Sequence, residues 1–203
     1  MAQTLGQAEF DALLEDHRRW NDNDGGRQLD LTGRSLTRLR LAGQRVDGAV
    51  LNEADLSGCD LTGVDFSHTE LIGANLRRAK LTAADLYKVN LTGADLTGAD
   101  LTGARLLRAD LTEAVLVGAV LDRADLTKTY FFRTDLRDAK LRDARLDRVG
   151  FDADQVGGWD AAGATGTVLA GSAVTGTGGL TDAIDALREA GALVRPFTGK
   201  VTP

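Results

Sequence analysis

Aspartate recurs before leucine through the middle of this 203-residue chain, and Asp65 and Asp85 occupy equivalent places in that pattern. Two carboxylates held ~4.8 Å apart on neighbouring strands could share a proton or divide acid and base roles. Aspartate is a repeat residue here, however, so a solvated wall is favoured over a dyad. Ser67, His68 and Glu70 supply the residue types of a nucleophilic triad. Neighbours on a turning strand point in different directions, which argues against the geometry a triad needs. The glycines of TGADLTGADLTG, residues 92–103, recur every five residues as turn glycines do and match no nucleotide fingerprint. Two histidines, His17 and His68, and one cysteine, Cys59, lie far apart and make a metal site unfavourable. Cys59 reads as a buried, inert thiol. The chain therefore reads as a non-enzyme with no cofactor and no metal.

The elements that carry these residues follow from one period. Every fifth residue from Leu31 to Phe151 is Leu, Phe or Val. Two positions earlier stands a mostly small residue, such as Ala54, Cys59, Val64, Ala74, Ala94 or Ala104. On an α-helix five residues turn by about 140° net, so the leucines would spiral away from any one face. On a flat strand they would alternate between faces. Only a chain that turns once per pentapeptide keeps them all inside. Short β-like pieces joined by turns then wind into a solenoid, stabilised by coil stacking on coil.

The unbroken register, clearest in GADLTGADLTGARL at residues 93–106, closely resembles the pentapeptide-repeat family, A(D/N)LXX. The resemblance implies an all-β core, a right-handed quadrilateral β-helix in which four pentapeptides make one turn. Residues 29–153 would then form about six coils, a rod of roughly 30 Å at β-ladder spacing. Members of the family include gyrase-protecting resistance proteins, developmental regulators and effectors, so the resemblance implies the fold more firmly than the activity. No insertion interrupts the register, unlike the loop-bearing gyrase-protecting members.

The flanks read differently. Residues 1–28 form an N-terminal helical cap and linker. Over residues 4–20, Phe10, Leu13, Leu14 and His17 recur at helical spacing, and Thr4 with Gln7 fits a capping box. The first repeats are degenerate, with Arg34 and Gln44 at small inward positions, as terminal repeats that face a cap commonly are. Residues 154–203 form a C-terminal segment. Its Gly/Ala/Thr-rich part, residues 157–179, reads either as a linker or as a strand of chain packed on the rod. Residues 180–197 contain a helix, with Thr181 as N-cap and Gly191 as terminator, followed by a short strand at Ala192–Val194. The resemblance adds that such helices cap rods and mediate dimers. Residues 29–151 hold 18 acids and 18 Lys/Arg, so the net charge of −6 lies in the flanks. No apolar run is long enough to span a bilayer, and no basic start precedes an apolar stretch; the protein reads as cytoplasmic.

Functional clues lie in the outward columns, where residues one coil apart stack. Arg40, Asp60, Lys80 and Asp100 alternate in sign and read as a self-compensating wall. His68, Lys88, Arg108, Lys128 and Arg148 do not alternate, and are candidates for a partner-binding edge. Outward apolar residues are further candidates: Tyr87 above Leu107; Val115, Val117 and Val120 on one corner; Tyr130 and Phe132 flanking inward Phe131. They fit either a surface covered by the C-terminal segment or a dimer or partner contact. Two functions are in play. One is a protein-interaction or scaffold module with an unnamed protein partner. The alternative is a DNA mimic that protects a type II topoisomerase, gyrase, from antibiotics. A neutral coil region fits mimicry poorly. Direct nucleic-acid binding is disfavoured for an acidic chain with one basic stripe.

Overall fold

The computed structural model describes residues 5–151, 160–169 and 192–196, together with Asp185, Arg188 and Glu189. From Leu29 to Phe151 the chain is a right-handed β-helix. Each five-residue unit contributes one inward large residue, a two-residue turn, one inward small residue and one outward residue. The carbonyl of the large residue accepts the N–H three positions on, as Leu96 does from Ala99 at 2.9 Å. The outward residue pairs in parallel with its counterparts in the coils before and after, as in Asp55, Asn75, Asp95, Val115 and Asp135. Nearly all remaining backbone polarity is met by the adjacent coils: Leu51 N–H donates to Glu70 O at 2.8 Å and Asp55 N–H to Arg34 O at 2.9 Å. A single coil could not satisfy these groups alone, so the coils exist only as a stack.

The five-residue period is explained atom by atom. From Leu31 to Leu146 each central residue is buried, and each such leucine contributes ~1.5–3 kcal/mol of apolar burial. Where the small inward residue is threonine, its hydroxyl reaches the carbonyl of a large residue in the coil before: Thr69 to Val46, Thr129 to Leu106 and Thr134 to Leu111, at 2.7–3.0 Å. Cys59 occupies the same slot, and burial pushes its thiol up to about 11. The outward Asp or Asn folds onto its own turn. Asp95 Oδ1 accepts from the Thr97 N–H at 2.9 Å and hydroxyl at 2.6 Å, a turn-stabilising bond that asparagine can also make. Hydrogen bonds from the Thr32 hydroxyl and N–H likewise hold Asp30 below the usual carboxylate range.

Helix α1 (Gln7–Asn21) lies across the start of the coil and buries Phe10, Leu14 and His17. Leu13 does not share that face, being 38% exposed. Gly6 is the N-cap and no side chain caps the helix. Gln7 instead donates to Asp11 and accepts the Arg40 N–H at 2.9 Å; Thr4 lies outside the described residues. The degenerate repeats meet this helix. Arg34 pairs with Glu9 at 3.1 Å, and Gln44 accepts from Arg18 at 3.3 Å. Polar residues stand at those inward positions because a helix, not another coil, covers them.

The ladder continues past residue 153. Asp160 bridges Lys140, and Ala161 and Ala164 take the two inward positions. Strands β1 (Tyr130–Phe131), β2 (Arg145–Phe151), β3 (Thr165–Leu169) and β4 (Leu193–Pro196) form one parallel sheet in that order. Thr165 pairs with Arg145, one coil back, and Leu193 with Thr165. Part of the Gly/Ala/Thr-rich segment therefore packs in register on the rod, and the short strand read at 192–194 is β4. Thr181 and Gly191, the cap and terminator read for the helix over residues 180–197, lie outside the described residues.

Candidate functional site

The second turn residue of almost every unit has positive φ, the conformation in which glycine is favoured. On one edge five successive turns use other residues: His68 (φ 58°), Lys88 (55°), Arg108 (61°), Lys128 (60°) and Arg148 (56°). A non-glycine residue in this region costs about 1 kcal/mol. Other edges mix glycine with charge, as in Glu53, Gly73, Gly93, Glu113 and Arg133, and there Glu113 and Arg133 form an ion pair at 2.7 Å. The basic edge is held straight by the coil ladder. His68, Lys88, Arg108 and Lys128 donate their N–H groups to the next coil, to the carbonyls of Tyr87, Leu107, Thr127 and Asp147, at 2.8–3.0 Å. Four ladder steps place the five side chains along ~19 Å.

The neighbouring columns complete the surface. Half-buried Tyr87 lies under two cations, with Lys88 Nζ 5.2 Å and Arg105 5.0 Å from its ring centre. The His68 ring meets Tyr87 edge-on at 5.2 Å. Arg105 pairs with Asp85 at 2.9 Å and Arg148 approaches Asp147 at 3.4 Å. Lys88, Arg108, Lys128 and Arg145 form no ion pair among the described residues. A cleft of about 380 Å³ opens here, lined by Tyr87, Leu107, Thr127, Asp125, Arg145 and the edge residues Arg108, Lys128 and Arg148.

The apolar candidates are not brought together. Tyr87 and Leu107 belong to the basic edge. Tyr130 and Phe132 stack at 5.9 Å on the next face and corner, with Tyr130 42% exposed. Gly150 lies under both rings, where a Cβ would stand 3.3–3.4 Å from them. Val115, Val117 and Val120 are half-buried around the corner opposite the basic edge. Asp65 and Asp85 do stack, but each turns a carboxylate oxygen onto its own turn, toward Ser67 and Tyr87 N–H. In the Arg40 column the ladder joins Asp60, Lys80 and Asp100, yet Lys80 makes no ion pair among the described residues. No group of three or more His, Cys, Asp and Glu among the described residues could hold a metal ion. No helix there is long and apolar enough to cross a membrane.

Two functional features escaped the sequence reading. His17 is fully buried: its Nδ1 accepts the Leu29 N–H at 3.0 Å and its Nε2 donates to Asp47 O at 2.9 Å. Burial, against hydrogen bonding and the charge of Asp47, lowers its pKa from 6.5. Helical spacing placed it on a face, but nothing in the sequence identified a bonded lock between helix and coil. Thr127 is the other. Its hydroxyl is buried without a partner, while those of Thr32, Thr92, Thr97 and Thr112 donate to the side chain two residues back. No sequence signal separates Thr127 from these.

A family model described as pentapeptide repeats matches this chain in eight copies, over residues 35–82, 59–98, 90–127 and 109–148. Among solved structures, HetL, a pentapeptide repeat protein involved in heterocyst differentiation regulation from Nostoc sp. strain PCC 7120, is 32% identical, with 69% of each chain covered and a TM-score of 0.38. A pentapeptide repeat protein of the Arabidopsis thaliana thylakoid lumen is 34% identical over 51% of this chain and 68% of its own, with a TM-score of 0.34. A trypsin-treated form of QnrB1, a plasmid-mediated fluoroquinolone resistance protein, is 19% identical over 83% of this chain and 90% of its own, with a TM-score of 0.56. No curated protein matches the chain.

Proposed function

Because the chain belongs to the pentapeptide-repeat family, we propose that it is a non-enzymatic interaction module, a rod of about six coils that binds a protein partner through its basic edge. One observation carries the reading: five consecutive basic side chains occupy turn positions where glycine would be more stable. Like charges ~4.8 Å apart repel as well, so stability alone favours neither their type nor their conformation. A binding role accounts for both. Tyr87 and Leu107 extend the same contact; Tyr130 with Phe132, and Val115, Val117 and Val120, are separate contacts for the C-terminal segment, a second copy or the partner. The test is capture of a partner by the wild-type protein and by a variant with Lys88, Arg108 and Lys128 changed to Glu. The reading expects unchanged folding and strongly weakened, salt-sensitive capture. Full capture by the triple variant refutes the edge.

The alternative is protection of a type II topoisomerase by DNA mimicry. The shared fold with QnrB1 favours it. The charge opposes it, since residues 29–151 carry equal numbers of acids and bases and a mimic needs a dominant negative field. Gyrase supercoiling with a quinolone present discriminates: rescue by the purified protein supports protection, and its absence supports the interaction module.

A further inference from the structure

We propose that the cleft at the C-terminal half of the basic edge is a receptor for an acidic, extended segment of a polypeptide partner, with an apolar residue at the Tyr87–Leu107 end and carboxylates at the Lys128–Arg148 end. This rests on the interaction-module reading and names the chemistry that the edge recognises. Arg108, Lys128, Arg145 and Arg148 converge on the cleft, and Asp125 is the acid that lines it with them. Asp125 is already engaged, accepting the Thr127 N–H at 3.0 Å. The site thus holds an excess of positive charge that an anion would neutralise.

The Thr127 hydroxyl is a second and independent sign. It lines the cleft, Thr127 is only 6% exposed, and its oxygen has no partner. Buried polar groups are nearly always bonded, and an exception points to a missing water, ion or ligand. A carboxylate oxygen in the cleft would supply the missing acceptor.

The dimensions and the other end choose a polypeptide. From Tyr87 to Arg148 is three ladder steps, ~14 Å, the reach of about four extended residues. Half-buried Leu107 offers apolar surface at the end away from the Lys128–Arg148 cations. A nucleic-acid strand would need an open aromatic face for stacking, but Lys88 and Arg105 both lie over the Tyr87 ring. The edge N–H groups of Lys88, Arg108 and Lys128 are bonded to the next coil, so recognition falls to side chains rather than strand addition.

Fluorescence anisotropy on the full chain tests this with a labelled peptide of one phenylalanine followed by five glutamates. The controls are the same peptide without phenylalanine, a phenylalanine–pentalysine peptide, and an oligothymidylate of similar length. The expected result is salt-sensitive binding of the acidic peptide, weaker binding without phenylalanine, and none of the other two. R108G/K128G relieves two positive-φ side chains, so it should fold with an equal or higher melting temperature while binding about tenfold or more weakly. T127V should keep its stability and lose affinity several-fold. R78G, at a positive-φ turn on the opposite edge, should bind as the wild type. Wild-type affinity in R108G/K128G, or preference for oligothymidylate, overturns the proposal. If R108G/K128G still captures a protein partner, the cleft fails but the interaction module stands; if neither protein captures one, the module reading itself falls.

Discussion

Two opposite edges of the rod share one backbone and differ in what they carry. One holds His68, Lys88, Arg108, Lys128 and Arg148; the other holds Gly58, Arg78, Gly98, Gly118 and Asp138, all at positive φ. A Cβ at Gly118 would meet nothing within 4 Å. Glycine is therefore chosen there for its conformational freedom, not for lack of room. The fold dictates φ at these turns and leaves the side chain open. Where five turns in a row refuse the easier residue and four of them carry a positive charge, the choice lies outside the fold.

That comparison can be broken most severely two residues from the edge. Leu96→Asp buries a charge among leucines that have no counter-ion and should unfold the protein, by more than about 4 kcal/mol. Gly98→Arg in the same turn should leave a folded rod, and far-UV circular dichroism with thermal melting separates the two. If both unfold, the edge is not open to substitution.

The capped end should behave like the interior rather than the edges. His17→Ala leaves the buried Leu29 N–H without its acceptor and the Asp47 carbonyl with only the longer bond from Asn21, at 3.3 Å, and should cost about 2 kcal/mol in urea denaturation. The wild type should also be pH-sensitive there. Protonation would turn Nδ1, which accepts from Leu29, into a donor, and the folded pKa is lowered from 6.5 by burial. The unfolded chain then binds the proton more readily. The stabilisation from His17 is complete above about pH 6.5 and falls as pH drops below it. His17→Ala should flatten that dependence between about pH 7 and 5. Equal slopes in the two proteins would remove His17 from the cap.

The edges themselves should exchange stability in smaller, reciprocal steps. Arg108→Gly and Lys128→Gly should each stabilise by about 1 kcal/mol, and Gly118→Arg should destabilise by about the same. A destabilising Arg108→Gly would mean that the basic residues support the rod after all. Smallest of all, Arg133→Ala removes the exposed pair with Glu113 and should change stability by no more than about 0.5 kcal/mol, less in high salt.

The solenoid was legible in the sequence because its rule is local: five residues, one turn, one large and one small side chain inward. With four pentapeptides to a coil, the basic residues at 68, 88, 108, 128 and 148 fall one coil apart in the sequence itself. Phe10 and Leu14 were readable from helical spacing, but Leu13 was misplaced, because the arc a helix buries depends on the surface it meets.

What the sequence determined by itself was the register, and with it which residues face in, which face out and which stack. What only the tertiary structure decided concerns atoms that meet across coils or between helix and coil. The pairing of His17 with Leu29 and Asp47, the stranded hydroxyl of Thr127 and the cleft it shares with Arg108, Lys128 and Arg145 are of this kind. So is the return of Asp160 and Thr165 to the ladder after the leucines end. The reason is physical: periodicity reports where a side chain points, whereas a partner, a rotamer and an empty space are settled by neighbours that lie far away along the chain, as Leu29 and Asp47 do from His17, and come into contact only once the coil is closed.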